Sequence, residues 1–250
     1  MKIILSPAKK MITDTDSIAP VGLPEFIDRT AKILNWMKSR SKEELQAIWK
    51  CNDKIAEQNF NRLENMDLYN ILTPAVLSYE GIAFQYMAPS VFENRQFDYI
   101  QNHLRILSAF YGVLKPMDGV TPYRLEMQAK IEIEDTKNLY DYWSERLYRS
   151  VLDDSRIIIN LASKEYSKCI EKYLSDKDKY ITVTFCEQSR DKLVTKGTYA
   201  KIARGEMVRY MAEKEIENPA DVQKFDRLGY TFRRDLSSES EYVFERKIME

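Results

Sequence analysis

Apolar residues in the first half of the chain recur every three or four positions, which is the period of an amphipathic helix. Pro24 stands where a first helical turn accepts proline, and Ser41 with Glu44 forms the capping box that begins a helix. A second pair, Ser90 and Glu93, gives the same signal. The predicted helices follow Pro24 and Ser41 and then cover residues 52–66, 74–87, 97–111 and 139–152.

The second half of the chain carries short runs rich in β-branched residues, which are typical of strands. Together with Lys2–Leu5 near the amino end, these runs predict a sheet built from both ends of the chain. A basic helix is predicted over residues 200–215. The other predicted strands cover residues 156–161, 180–185 and 192–199, and residues 230–234 pair with 241–245 as a hairpin.

No repeat, low-complexity segment or Gly/Ser linker divides the chain, so we expect one domain over residues 1–250. The simplest arrangement packs a helical layer from the first half against the sheet. The predicted fold class is therefore α+β, with a single mixed domain.

Composition and charge narrow the classes of function. Hydrophobic residues make up 44% of the chain and charged residues 31%, which is ordinary for a globular protein. The formal net charge is −1, so no global field attracts nucleic acid or a membrane. No apolar run reaches the roughly 18 residues that span a bilayer. Three scattered cysteines favour reduced thiols, and we expect a cytoplasmic protein.

The histidine count excludes two kinds of metal site within one chain. His103 is the only histidine, so neither an H-E-x-x-H zinc site nor an iron site with two histidines can be built. The chain also lacks the G-x-S-x-G, Walker A and G-x-G-x-x-G motifs. We therefore expect no metal site and no cofactor, and we assign no catalytic residue.

Residues 107–127 contain two of the seven glycines and two of the eight prolines in the chain. Gly112 stands where the preceding helix would end, and Gly119 marks a second turn between Lys115 and Arg124. Two interpretations remain open. The segment is either a loop that fills the core, or a helix-hairpin-helix-like element whose backbone N–H groups approach a phosphate.

Two predicted strands lead into loops that carry serine and lysine. Ser6 and Lys9 follow the first strand, and Ser163, Lys164 and Lys168 follow a later one. Ligands of open α/β sheets bind beyond the carboxyl ends of strands. Each loop alone is equally compatible with solvated surface lysines, but the two together favour an anion site.

The basic stretch from residue 192 to residue 214 contains Lys201, Arg204 and Arg209. Gly205 within it allows a close backbone approach. The stretch is either a solvated helix face or one wall of an anion-binding groove.

Ordered motifs along almost the whole chain resemble those of the bacterial YaaA peroxide-stress-resistance family. The matching stretches are residues 4–9, 52–56, 107–118, 122–127, 159–163, 165–166, 203–207 and 229–232. The resemblance implies a cytoplasmic protein that helps cells survive hydrogen peroxide by limiting free intracellular iron, and so oxidative damage to DNA and protein. It also implies a mixed α/β fold, a helix-hairpin-helix-like element and a basic cleft that binds DNA.

On this basis we expect a non-enzymatic protein that binds DNA without sequence preference, through phosphate contacts in one groove. The residues predicted to line that groove are Lys9, Lys115, Arg124, Lys164, Lys168, Arg204 and Arg209.

The alternative is an enzyme acting on a phosphorylated or nucleotide-like small molecule. Its residues would be Ser6, Lys9 and Ser163 around the phosphate, and Arg124 and Glu126 with Tyr111 or Tyr166 for acid–base chemistry. A pocket of small-molecule size that holds the serines and Arg124 together would favour this enzyme, whereas a long open basic channel would favour DNA. A third possibility is a regulatory adaptor that binds no ligand.

Overall fold

The structure is a computed structural model that describes residues 1–189 and 192–247. The helices are α1 (Ile27–Lys38), α2 (Lys42–Trp49), α3 (Asp53–Glu64), α4 (Ala75–Ser78), α5 (Ile82–Met87), α6 (Asn94–His103), α7 (Leu139–Trp143), α8 (Arg146–Val151), α9 (Lys164–Glu171) and α10 (Gly197–Glu213). The strands are β1 (Lys2–Leu5), β2 (Thr73–Pro74), β3 (Leu104–Ser108), β4 (Gly112–Leu114), β5 (Gly119–Val120), β6 (Ile157–Asn160), β7 (Lys179–Ser189), β8 (Lys192–Val194), β9 (Tyr230–Phe232) and β10 (Glu241–Arg246).

Eight of the described strands form one mixed sheet in the order β4-β3-β1-β6-β7-β10-β9, with β8 paired to β7. The five adjacent strands β3, β1, β6, β7 and β10 run parallel, and β4, β8 and β9 pair antiparallel with their neighbours. The predicted α+β fold, with a sheet built from both ends of the chain, is confirmed.

The order of the parallel strands locates a crevice. Numbered along the chain, these five strands lie in the order 2-1-3-4-5, because the chain leaves β1 for one neighbour and later returns to the other side of it. Ligands of such sheets bind beyond the carboxyl ends of the strands where the order reverses. In this sheet that point lies between β1 and β6.

The amino-acid runs of β1 and β6 explain their central place. Ile3 pairs with Leu104 on one side and with Ile159 on the other, so β1 is hydrogen-bonded along both edges. Strands of this kind are covered on both faces and need almost continuous apolar residues. Ile3–Leu5 and Ile158–Asn160 are accordingly buried.

The helix predicted over residues 97–111 is correct only as far as His103, where α6 ends. Leu104–Ser108 instead forms β3, which is fully buried and parallel to β1. A short apolar run fits a helix and a buried strand equally well by spacing alone, and pairing with β1 decides between them. The capping box of α6 also differs, because it joins Glu93 to Gln96 and does not involve Ser90.

Residues 107–127 are all described and contain no helix, so the helix-hairpin-helix-like element predicted there is absent from this segment. The chain reverses between the antiparallel strands β3 and β4, and Gly112 adopts a φ of 81° at the start of β4. A Cβ at Gly112 would lie 2.9 Å from the Trp143 ring. Because Phe110 and Leu125 are also buried, the segment fills the core, as the other interpretation proposed.

The remaining predicted boundaries agree in part with the structure, since the helix predicted over 139–152 is interrupted at residues 144–145 and the strand predicted over 192–199 ends at Val194. The Ser41–Glu44 capping box and the β9–β10 hairpin are confirmed. The helix predicted over 74–87 is two short helices separated at residues 79–81, and α10 begins at Gly197 instead of residue 200. One domain over residues 1–250 stays a prediction, since that range includes five residues outside the described set. Among the described residues, no helix has both the length and the apolar character needed to cross a membrane.

The packing of α10 on α5 depends on a glycine. A Cβ placed on Gly205 would lie 1.9 Å from the carbonyl oxygen of Ala83, which is far inside van der Waals contact. Only glycine therefore lets the two helices approach this closely. The same contact fixes the position of the preceding residue, Arg204.

We expect Gly205→Ala to destabilise the protein by about 1–3 kcal/mol, since the clash with Ala83 outweighs the higher helix propensity of alanine. Denaturant unfolding measures this change. Gly197→Ala is the matched control in the same helix, because a Cβ at Gly197 meets nothing within 4 Å. That variant should be unchanged or slightly more stable. Equal stabilities for the two variants would contradict the packing argument.

A second prediction concerns Asp118, which is buried and accepts a hydrogen bond of 2.8 Å from the backbone N–H of Lys115. Burial raises the pKa of Asp118 from 3.8 to about 6, against the opposing effects of this hydrogen bond and of the charges on Lys115 and Arg105. Folding therefore takes up a proton between about pH 4 and pH 6. The stability contributed by this group is present at low pH and is lost as the pH rises through that window.

Asp118→Asn removes this titration. The unfolding free energy of the variant, relative to the unmodified protein, should therefore increase between pH 4 and pH 7 by up to about 3 kcal/mol. Urea unfolding of both proteins at several pH values measures the difference. A difference that does not change with pH would show that Asp118 does not titrate in this way.

Candidate functional site

A cavity of about 390 Å³ lies beyond the carboxyl ends of β1 and β6, at the point where the strand order reverses. We call it the β1–β6 cavity. A volume of this size suits a small molecule. The residues that line it are 5–10, 80–84 and 123–126, together with Leu161, Ser163, Glu165, Tyr166, Lys201 and Arg204.

Two serines join the loops that leave the two strands. The backbone N–H of Ser163 donates to Ser6 Oγ at 2.8 Å, and the Ser6 hydroxyl donates to Ser163 Oγ at 3.1 Å. Just before them, the N–H of Leu161 donates to the carbonyl of Ile4. The loops that follow β1 and β6 are thus hydrogen-bonded to each other beyond the ends of the strands, and both serines line the cavity.

Arg204 lines the cavity from α10. Its side chain makes no ion pair and no hydrogen bond with any residue in the ranges 1–189 and 192–247, and its Nε atom is buried without an acceptor. Burial lowers the pKa of Arg204, but an arginine remains charged at neutral pH. A partly buried cation without a counter-charge is unfavourable, so this position is suited to a bound anion.

Arg124 and Lys9 approach the cavity from other segments and share one carboxylate. Glu126 Oε1 lies 2.9 Å from Lys9 Nζ and 3.4 Å from Arg124 Nη2. The Arg124 guanidinium also donates to the carbonyl of Trp49 at 3.2 Å, and 11% of its side chain is exposed. The Lys9 side chain is 66% exposed.

Tyrosine hydroxyls form a buried network behind the cavity. Tyr123 lines the cavity, and its phenol oxygen lies 2.9 Å from the Tyr79 hydroxyl and 2.7 Å from Ser108 Oγ. The backbone N–H groups of Phe110 and Tyr111 donate to the same Ser108 oxygen. Burial raises the pKa of Tyr123 to about 12, so the phenol is neutral at physiological pH.

The two tyrosines predicted as acid–base candidates lie in different places. Tyr166 lines the cavity, and burial raises the pKa of its phenol, which leaves it neutral and able to donate a hydrogen bond. Tyr111 does not line the cavity, since its hydroxyl bonds the backbone of Thr121. The prediction that Tyr111 takes part in acid–base chemistry in this cavity is therefore wrong.

Of the seven cations predicted to line one groove, the structure brings Lys9, Arg124 and Arg204 to the β1–β6 cavity. The other four do not line it. Lys115 follows β4 and lies near Lys2, towards the amino ends of the parallel strands, because β4 runs antiparallel to β3.

The remaining three cations lie on helices outside the cavity. Lys164 pairs with Glu171, and Lys168 is exposed on the same helix. Arg209 lies on α10 and pairs with Glu213 at 2.8 Å. A single groove lined by all seven is not formed around this cavity, and their contacts with DNA stay a prediction.

The sequence predictions missed the wall formed by residues 80–84. Glu80 pairs with Lys10 at 2.8 Å, and a Cβ on Gly81 would lie 2.6 Å from the Cβ of Ala8. Gly81 was the available signal, since the chain has only seven glycines and this one interrupts a helical pattern. Lys201 and Glu165 complete the charged lining.

No group of three or more His, Cys, Asp or Glu side chains with metal-binding geometry occurs within residues 1–189 and 192–247. The chemistry available in the cavity is hydrogen bonding by hydroxyls and ion pairing by arginine and lysine. These groups are suited to phosphate or carboxylate ligands.

Comparisons with known proteins agree on one family. The family described as peroxide stress protein YaaA matches residues 1–236. A protein of Agathobacter rectalis, named as a UPF0246 protein, is 82% identical over 248 residues, which are 99% of this chain and 100% of the relative. A UPF0246 protein of Lachnoclostridium phytofermentans is 53% identical and covers 98% of this chain and 96% of its own. One from Desulfitobacterium hafniense is 48% identical over the full length of both chains.

The serine pair generates a stability prediction. Ser6→Ala leaves the backbone N–H of Ser163 without its acceptor, and we expect a loss of about 1–3 kcal/mol. Ser163→Ala is the matched control, because it removes one hydroxyl but keeps the N–H bond to Ser6, and we expect about 0.5–1.5 kcal/mol. Urea unfolding compares the two variants. A Ser163→Ala loss as large as that of Ser6→Ala would contradict the proposed bonding.

Proposed function

This chain belongs to the peroxide stress protein YaaA family, and we propose that it acts in resistance to hydrogen peroxide by binding a phosphate-bearing ligand in the β1–β6 cavity. As part of this proposal the protein works in the cytoplasm and lowers free intracellular iron, and with it oxidative damage to DNA and protein. The observation that carries the ligand proposal is the guanidinium of Arg204, which has no partner among the described residues and lies in a cavity that also holds Arg124 and Lys9.

The size and lining of the cavity favour a nucleotide-like small molecule. Its volume of about 390 Å³ is within the range of small-molecule sites. Apolar side chains such as Ile82, Phe84 and Leu125 line part of it and suit the body of a ligand, while the serines and arginines suit its phosphate. If a reaction follows binding, Tyr166 and Glu126 are the groups placed to move a proton.

A second candidate ligand is DNA, favoured by the exposed side chains of Lys9, Lys10 and Lys201 at the cavity. In this case one phosphate of a DNA strand would bind Arg204, and the lysines would contact the adjacent phosphates of the same DNA strand. Such contacts are made to the backbone, so binding would be sequence-tolerant and would weaken as counterions accumulate.

The first test is a thermal unfolding experiment with nucleotides set against short oligonucleotides. A ligand that binds the folded protein stabilises it by about 2.7 kcal/mol when present at 100 times its Kd, so the melting temperature should rise. Arg124→Ala and Arg204→Gln should abolish most of this rise. Lys115→Ala, which changes an exposed cation outside the cavity, should leave it intact.

The second readout is the survival of peroxide-treated cells that depend on each variant. Loss of survival in Arg124→Ala and Arg204→Gln, but not in Lys115→Ala, supports the proposal. No melting shift with any phosphate-bearing ligand contradicts it, as does full survival of both arginine variants. For DNA, fluorescence anisotropy should show an affinity that falls linearly with salt on a log–log plot, and an affinity independent of salt excludes DNA as the ligand.

A further inference from the structure

Glu126 forms ion pairs with Lys9 and Arg124, which are two of the three cations that an incoming anion would bind. Its carboxylate contacts Lys9 Nζ at 2.9 Å and Arg124 Nη2 at 3.4 Å, while Arg204 has no counter-charge among the described residues. An anion that binds all three cations must therefore displace a carboxylate that already belongs to the protein. That displacement costs free energy, and only a sufficiently charged ligand offsets it.

The charges that line the β1–β6 cavity are unbalanced. Five cationic and three carboxylate side chains line it, which leaves a formal charge of +2. A terminal phosphate, as in a phosphomonoester, carries about −1.5 to −2 at pH 7 and has three acceptor oxygens. A phosphodiester inside a nucleic-acid strand carries one negative charge and has two free oxygens.

We propose that Glu126 is a built-in counter-anion that makes the cavity select a terminal phosphate over an internal phosphodiester. The inference rests on the proposed function, since it concerns the same site. The terminal phosphate binds Arg204 and replaces Glu126 at Lys9 and Arg124. The diester offers too little charge to displace Glu126, and its substituents point out on both sides of the phosphorus.

The surroundings of the three cations allow this exchange. The bond from Arg124 to the carbonyl of Trp49 holds the guanidinium in the cavity after Glu126 leaves. The Lys9 side chain is mostly exposed and free to follow the ligand. Ser6 and Ser163 line the same cavity, and the Ser163 hydroxyl, which accepts from Ser6, keeps its own proton to donate to a phosphate oxygen.

Isothermal titration calorimetry tests the inference with three probes: inorganic phosphate, a nucleoside 5′-monophosphate, and a dinucleoside monophosphate that has only one internal diester. The unmodified protein should bind the two terminal phosphates at least tenfold more tightly than the diester. Its affinity for the monoester should also fall below about pH 6, where the phosphate takes up a proton. The pH measurement needs no variant and so does not depend on the folding of one.

Glu126→Gln should strengthen binding of the diester by about tenfold and so reduce the selectivity, because the amide no longer competes for Lys9 and Arg124. Glu171→Gln is the matched control, since Glu171 pairs with a lysine, Lys164, but lies outside the cavity. That variant should keep the selectivity of the unmodified protein.

The outcomes separate this inference from the function on which it rests. If the unmodified protein binds these probes but Glu126→Gln binds them more weakly, or with unchanged selectivity, the inference is wrong and the phosphate site stands. If the unmodified protein prefers the diester, the inference is also wrong. If none of the three probes binds the unmodified protein, the proposed phosphate site fails and the inference fails with it.

Discussion

The pairing of β1 between two parallel neighbours is the constraint on which the rest of the structure depends. Because β3 and β6 both run parallel to β1, all three strands end at the same edge of the sheet. The loops that follow β1 and β6 therefore begin close together in space, at Ser6 and at Ser163, and the backbone N–H of Ser163 donates to Ser6 Oγ. The site brings together residues more than 150 positions apart, and it depends on the hydrogen-bond register of one short strand of four residues.

Close backbone contact supplies the second wall of the site. Gly205 meets Ala83 and Gly81 meets Ala8 at distances that leave no room for a side chain. These two contacts hold α10 and the loop after β1 against the segment around α5. The Arg204 guanidinium on α10 can then be partly buried with no partner in the described part of the chain, because the packing around it depends on apolar and backbone contacts and does not require an ion pair.

The sequence predicted the parts of the fold that local pattern determines. β1, β6 and β7 are β-branched runs, and Ser41 with Glu44 forms its capping box as expected. Ser6, Lys9 and Ser163, which were predicted from strand ends, line one cavity together with Arg124 and Arg204, and their role there stays a prediction. The errors arise where tertiary pairing decides. Leu104–Ser108 fits a helix by spacing but becomes a strand beside β1, and Lys115 lies away from the cavity because β4 reverses direction. That Arg204 has no ion-pair partner within residues 1–189 and 192–247 could not be deduced either, since it depends on the assembled packing.

The turn between β3 and β4 also orients the hydroxyl network behind the cavity. Ser108 Oγ accepts two backbone N–H groups there, which uses both of its lone pairs. Its own proton is therefore directed to the phenol oxygen of Tyr123, 2.7 Å away. The O–H dipole of Ser108 is consequently oriented by two peptide groups, and the Tyr123 phenol oxygen at the cavity wall accepts the proton that they direct towards it.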